Sequence, residues 1–202
     1  MSVQIRTYWT ATGAVNITPV SGDYLIGIWR SSGGGTRPTI FYSPTQYFTE
    51  IDRADRPDDC AVVVYRLAKP TITGGAYAIA SDQLGAVHTV IALTGVSDAE
   101  PIRSTNADAS HASGDEMAMT VPSRKGCLEL YCVSHASGTI NGMSGATYLN
   151  SGGGEDGKSV AYETGDGIGD DNATISFTVG TPASYVSFAV GPRGVNKTVM
   201  IL

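Results

Sequence analysis

The chain has 202 residues, 42% of them hydrophobic and only 16% charged, below the roughly 25% of an ordinary soluble domain. That size and apolar share fit one large β-sandwich with a filled core, ahead of the alternative of two small domains. A net charge of −6 with 13 scattered Lys and Arg excludes a nucleic-acid binder, which sets clustered cations against phosphate. No apolar run reaches the about 18 residues of a membrane span.

Strand signals recur along the whole sequence at the spacing of a sandwich or barrel. The pattern predicts strands over 3–10, 23–30, 39–42, 47–52, 60–67, 76–81 and 86–93, then over 116–121, 126–134, 159–163, 173–179, 184–190 and 197–202. Alternation is clearest late in the chain. In NATISFTVG, Ala173, Ile175, Phe177 and Val179 share one face, and Thr174, Ser176 and Thr178 take the other. Val186, Phe188 and Val190 point inward, as do Leu128, Leu130 and Cys132, with Glu129 and Tyr131 expected outside. In DYLIGIWR the better core face is Tyr24, Ile26 and Ile28, which leaves Trp29 on the outer face. Period 2 with one polar face marks antiparallel strands over a single core. No capped stripe of period 3.6 occurs. The expected fold is therefore all-β and essentially helix-free: one antiparallel β-sandwich domain over 1–202, with a short N-terminal arm (1–10) and an apolar C-terminal strand (197–202).

Three stretches read as loops: 31–38 (SSGGGTRP), 98–115, and 150–171 interrupted by one strand. None has the composition shift of an interdomain linker. The opening residues MSVQIRTYWTATG lack the basic-then-apolar order of a secretory signal. Cys60, Cys127 and Cys132 are odd in number and lack metal-binding spacing. Cys127 and Cys132 lie five apart in one strand and so face opposite ways, which fits buried free thiols in a reducing cytoplasm.

GDGIGD at 165–170 resembles a phosphate loop, but a strand follows it where the phosphate needs a helix N-terminus. Ser-His-Ala-Ser-Gly occurs at 110–114 and 134–138; it can bring His111 beside His135, but no third or fourth metal ligand has fixed spacing. The acidic residues Glu155, Asp156, Glu163, Asp166, Asp170 and Asp171 offer oxygen ligands for Ca²⁺ without the spacing of a known calcium loop; no cofactor is expected, with calcium the one alternative. There is no nucleophile elbow. His88 reads as a half-buried sheet residue, and Asp115–Glu116 lacks a second carboxylate to complete a glycosidase pair. The expectation is a non-enzyme. Trp9, Trp29, Tyr42, Tyr47 and Tyr148 are the aromatics available to stack on a sugar ring or to pack against a neighbour.

In order, GDYLIGIW (22–29), FTEIDRAD (48–55), CAVVVYRLAKP (60–70), VHTVIALTGVSDAEPI (87–102) and GCLELYCVS (126–134) resemble a sandwich module recurrent in bacteriophage virion proteins and some bacterial surface proteins. Phe48 stands where that module usually has Trp, and no Gly precedes it. The resemblance implies a jelly-roll-like, non-enzymatic, oligomeric virion component, made in the bacterial host cytoplasm. Standing without a stalk, a module of this size suits a capsid decoration (cement) protein. The alternative is a tail- or fibre-associated protein binding a receptor or glycan. Its expected partners are itself, as a homotrimer, and the major capsid protein or other virion proteins. The residues expected at subunit contacts are Arg30, Arg37, Phe41 and Tyr42 around the Gly-rich loop, and Met200, Ile201 and Leu202 at the apolar end. Each terminus can also add a strand to a neighbour's sheet.

Overall fold

The computed structural model describes residues 2–32, 38, 41–43, 46–56, 60–71, 75–83, 86–99, 101–109, 116–122, 125–135, 140–144, 146–149, 158–164, 170–177 and 182–193. Among these there is no helix; the chain is built from antiparallel strands, as its alternating sequence requires. The first eight are β1 (Gln4–Thr12), β2 (Val15–Ile17), β3 (Tyr24–Ser32), β4 (Phe41–Tyr42), β5 (Thr49–Arg56), β6 (Cys60–Ala68), β7 (Tyr77–Ser81) and β8 (Val87–Thr94). The second eight are β9 (Ile102–Asp108), β10 (Glu116–Pro122), β11 (Leu128–His135), β12 (Ile140–Ser144), β13 (Thr147–Tyr148), β14 (Lys158–Thr164), β15 (Asp170–Phe177) and β16 (Ala183–Val190).

The two sets make the same pattern twice. The first forms a five-stranded sheet ordered β1-β8-β3-β6-β5 and a three-stranded sheet ordered β2-β7-β4. Adding eight to each number gives the second set, with sheets β9-β16-β11-β14-β13 and β10-β15-β12. Register repeats as well. Tyr24 pairs with Leu93 and Ala68 as Leu128 pairs with Val190 and Thr164, and Leu93 pairs with Ile5 as Val190 pairs with Ile102. Both edge ladders break at the same place. Arg6 is skipped between Ile5 and Thr7, and Arg103 between Ile102 and Ser104, so each arginine is the extra residue of a β-bulge. Each central strand is entered through a glycine at positive φ, Gly22 (90°) and Gly126 (83°), a conformation that other residues adopt only with strain.

The two five-stranded sheets face each other and bury the central core. Ile26, Ile28, Val62, Val64, Ile91 and Leu93 on one side meet Leu128, Leu130, Cys132, Val186, Phe188 and Val190 on the other. The expected sandwich is this pair of sheets. Each then carries its three-stranded sheet on the outer face, with a core of its own. Leu25, Trp29, Val63, Tyr65 and Val90 pack with Val15, Ile17, Phe41 and Ile79, and Tyr131, Val133 and Tyr185 pack with Met119 and Val121. The stack is thus four sheets deep. Residues 95–97 and 191–193, which follow β8 and β16, pair across the two halves through an antiparallel bridge at Val96 and Pro192.

The extra layers correct several expectations. Trp29, Glu129 and Tyr131 do lie on the faces assigned to them, but those faces are covered, and all three are buried. The stretch 98–115 is not wholly loop, because β9 runs through it. Within the expected N-terminal arm, β1 is hydrogen-bonded along β8 as the edge of its own sheet. The predicted strand 197–202 lies outside the described residues. Cys127 belongs to an outer core and Cys132 to the central one, on opposite faces as their spacing demands, and all three cysteines are buried thiols. No helix of the described residues is long and apolar enough to cross a membrane.

Candidate functional site

Chain direction sets where loops gather. β3 and β11 run the same way, with Ser134 Oγ donating to Ser31 O (2.6 Å) where both strands end. The β1–β2, β3–β4, β5–β6 and β7–β8 connections, and their four counterparts, all leave from that end. Connections clustered on a rigid scaffold are where binding groups are most often carried. At this pole the central core turns polar.

Arg30 is the centre of that change. It continues the parity of Tyr24, Ile26 and Ile28 and points between the two central sheets, where it is 0% exposed. Its Nη2 donates to Thr89 Oγ1 at 2.7 Å, and Thr89 Oγ1 lies 3.0 Å from Thr10 Oγ1. Neither Nε nor Nη1 has a hydrogen-bond partner among the described residues. Burial pulls the guanidinium down to about 10, which still leaves it charged at neutral pH. Cys132, across the core, feels the Arg30 charge, yet burial dominates and pushes its thiol up to about 12, so it stays protonated. Around the same end Ser184 Oγ donates to Cys60 O (3.1 Å) and lies 3.5 Å from Cys60 Sγ.

A second polar pair sits on the other face of the same sheet. His88 is 0% exposed rather than half-buried; its Nε2 lies 2.8 Å from Ser81 Oγ and its Nδ1 3.2 Å from Ala86 O. With the proton on Nδ1 directed at the carbonyl, Nε2 accepts from the serine, as a base accepts from a nucleophile. Two features weaken that chemistry. Burial, aided by the nearby Arg30 charge, lowers the imidazole to about 4, a feeble base at neutral pH. Ser81 is 1% exposed and also has Gln83 O at 2.7 Å as an acceptor for its one proton. The pair ties β7 to β8, with the Phe41 ring tilted against the imidazole at 5.7 Å.

The expected contact residues are placed as follows. Arg30 and Phe41 are both 0% exposed inside the chain, so neither has surface for a neighbour to cover. Phe41 stacks on Tyr65 (centroids 5.1 Å apart) and meets Phe48 edge-on. Tyr42 lends its backbone to β4; its side chain, and Arg37, Met200, Ile201 and Leu202, lie outside the described residues. So do His111 and Asp115. Of the sugar-stacking candidates, Trp29 is buried with its indole N–H on Gln83 O (3.1 Å), whereas Tyr47 is 72% exposed. Trp9 lies half-buried on β1, with the Arg6 guanidinium 5.9 Å from its ring. Among the described residues no group of three or more His, Cys, Asp or Glu is arranged to hold a metal.

The sequence reading overlooked Thr10, Thr89 and Cys132 as companions of Arg30, and Ser81 as the companion of His88. Arg30 itself carried a usable signal, since its even position sets it on the core face already read from Tyr24, Ile26 and Ile28. No protein-family model, curated protein or solved structure matches the chain.

Proposed function

We propose that the chain is a non-enzymatic structural protein of a bacteriophage particle, a capsid decoration protein that stabilises the head through contacts between subunits. The supporting observation is the doubled strand order. In each half the first, eighth, third and sixth strands lie side by side, with the second, seventh and fourth in the facing sheet. We read each half as a jelly roll, an architecture used by viral capsid and lectin domains. Architecture alone does not carry a function. Here it joins the sequence resemblance of 22–29, 48–55, 60–70, 87–102 and 126–134 to a virion module.

Sheet edges supply the means of attachment. β1 and β5 border one central sheet and β13 and β9 the other, and β1 presents nine residues, alternately exposed and half-buried. An edge strand of that length offers unpaired backbone groups to a neighbour. On this reading the protein assembles with itself as a homotrimer and sits on the major capsid protein. Each particle then gains cohesion by linkage, because bound copies favour the assembled state. The alternative glycan-binding reading loses Trp29 to the interior and keeps Tyr47.

The test is the copy number of this chain in purified particles, measured by quantitative mass spectrometry against the major capsid protein. Hundreds of copies are expected of a lattice-wide decoration protein. A handful would move the protein to the tail and favour glycan binding, and complete absence would refute the virion assignment.

A further inference from the structure

We infer that the Arg30 guanidinium, between the two central sheets at the loop pole, holds a small oxyanion of carboxylate type. Three observations carry this. Arg30 is wholly buried, and its Nε and Nη1 have no hydrogen-bond partner among the described residues. Among the described residues no carboxylate forms an ion pair with it, unlike Arg6, which grips Asp23. A buried, uncompensated charge is among the costliest things a fold can contain, and a guanidinium does not escape by losing its proton.

The neighbours do not neutralise it. The Cys132 thiol is protonated, and His88 faces the outer core. Water can accept from Nε and Nη1, but it supplies no charge. A carboxylate-like oxyanion does both, since its two oxygens match the planar fork of the guanidinium. The Thr10–Thr89 pair fits the same purpose. Thr89 Oγ1 accepts from Nη2 and lies 3.0 Å from Thr10 Oγ1, so hydroxyls line this side of the guanidinium instead of apolar groups.

The duplicated plan shows that the fold does not need a cation here. Register makes Ser134 the counterpart of Arg30, and Ser134 satisfies itself by bonding Ser31 O. The charged version of this position is built once, at the end where the connections gather. The site is independent of the virion assignment and stands or falls separately from it.

The experiment uses the intact chain and three probes, acetate, sulfate and phosphate, each against chloride at equal ionic strength. The first readout is the ¹⁵N–¹H resonance of Arg30 Nε. A saturable shift with at least one oxyanion is expected, and the thermal midpoint rises with the logarithm of that anion's concentration. Arg30→Met abolishes the midpoint response, and Thr89→Val weakens it. Should Arg30→Met fail to fold, the Nε titration of the wild-type chain decides alone. A resonance that moves no more than in chloride means that water satisfies Arg30 and overturns the proposal. A midpoint response that survives in Arg30→Met places the anion elsewhere and overturns it too.

Discussion

The two halves of this protein share a strand order, a register and a bulge, yet they reach the same packing with different side chains. The aromatic bulk over the central strand shows it best. In the first half β3 has Gly27 at its middle, and the ring of Phe41 comes across from β4 to lie against it. In the second half the equivalent position of β11 is Tyr131, which brings its own ring to the outer core. Volume is kept while its source moves from one strand to another. A sheet of given register can therefore be filled in more than one way, provided total volume and patterning hold.

The largest expected effect comes from breaking what joins the halves. Phe188 is buried in the central core between the two five-stranded sheets. Phe188→Ala removes that ring from a site with neighbours on both sides, and a cost of about 3–5 kcal/mol is expected. Because both halves bury their facing sheets only against each other, chemical denaturation should still show one transition, shifted to lower denaturant. Two separate transitions would show that each half is stable alone and that the central core is an interface, not a shared core.

His88 distinguishes the halves next, since its register counterpart in β16 is Tyr185. Folding holds the imidazole at about 4, below its ordinary 6.5. A depressed histidine contributes stability that is complete above the unfolded value and is lost as pH falls toward the folded one, because the unfolded chain then binds the extra proton. The loss between pH 6.5 and 4 amounts to about 3 kcal/mol at full extent. Urea midpoints should therefore fall between pH 6.5 and 5, and His88→Gln should flatten that decline. A decline unchanged in His88→Gln would place the titrating group elsewhere.

A smaller effect tests the repeated bulge. Arg6, at the bulge of β1, grips Asp23 through Nε at 2.8 Å and Nη2 at 2.6 Å, while Asp23 also accepts from the Val20 N–H (2.8 Å). Asp23 is buried, but the Arg6 side chain is 30% exposed, so solvent screens part of the pair. Arg6→Ala leaves a buried carboxylate with one backbone donor, and a loss of about 2 kcal/mol is expected, less than for a fully buried pair. Asp23→Asn combined with Arg6→Ala should recover part of it. No recovery in that double variant would mean that the arginine stem, and not the charge, is what matters.

Much of this fold was legible because period 2 reports which residues share a face. Ala173, Ile175 and Phe177 placed β15 well, and Leu128, Leu130 and Cys132 were assigned to the core they occupy. Period 2 does not report what covers the other face. Trp29, Glu129 and Tyr131 were read as outward, which holds for direction but not for exposure, because a further sheet lies over each. β9 was missed for a different reason. Its residues Ile102–Asp108 sit on a sheet edge, nearly all half-buried, and carry no apolar alternation. The duplication left only short traces, Ile5-Arg6-Thr7 against Ile102-Arg103-Ser104 and the paired glycines Gly22 and Gly126, while the positions that face each core diverged. The polar pole was half legible: parity aims Arg30 inward, but Thr10 and Thr89 meet it only once β1, β8 and β3 lie side by side.

The smallest change returns to Gly27. A methyl group there falls against the edge of the Phe41 ring, so either the ring or β4 must shift. Overpacking of this kind costs about 1–3 kcal/mol. Two effects oppose each other, because glycine within a strand is itself worse than alanine by about 0.5–1 kcal/mol. Gly27→Ala should therefore destabilise by about 1 kcal/mol net, read as a modest drop in the urea midpoint. Adding Phe41→Leu frees the room the methyl needs, moving this half toward the arrangement of Tyr131, where the strand supplies its own bulk. The double variant is expected to lose less than the sum of the two single changes. Strict additivity would mean that Gly27 and Phe41 do not share one packing volume, and the comparison of the halves would fail at the position where it is sharpest.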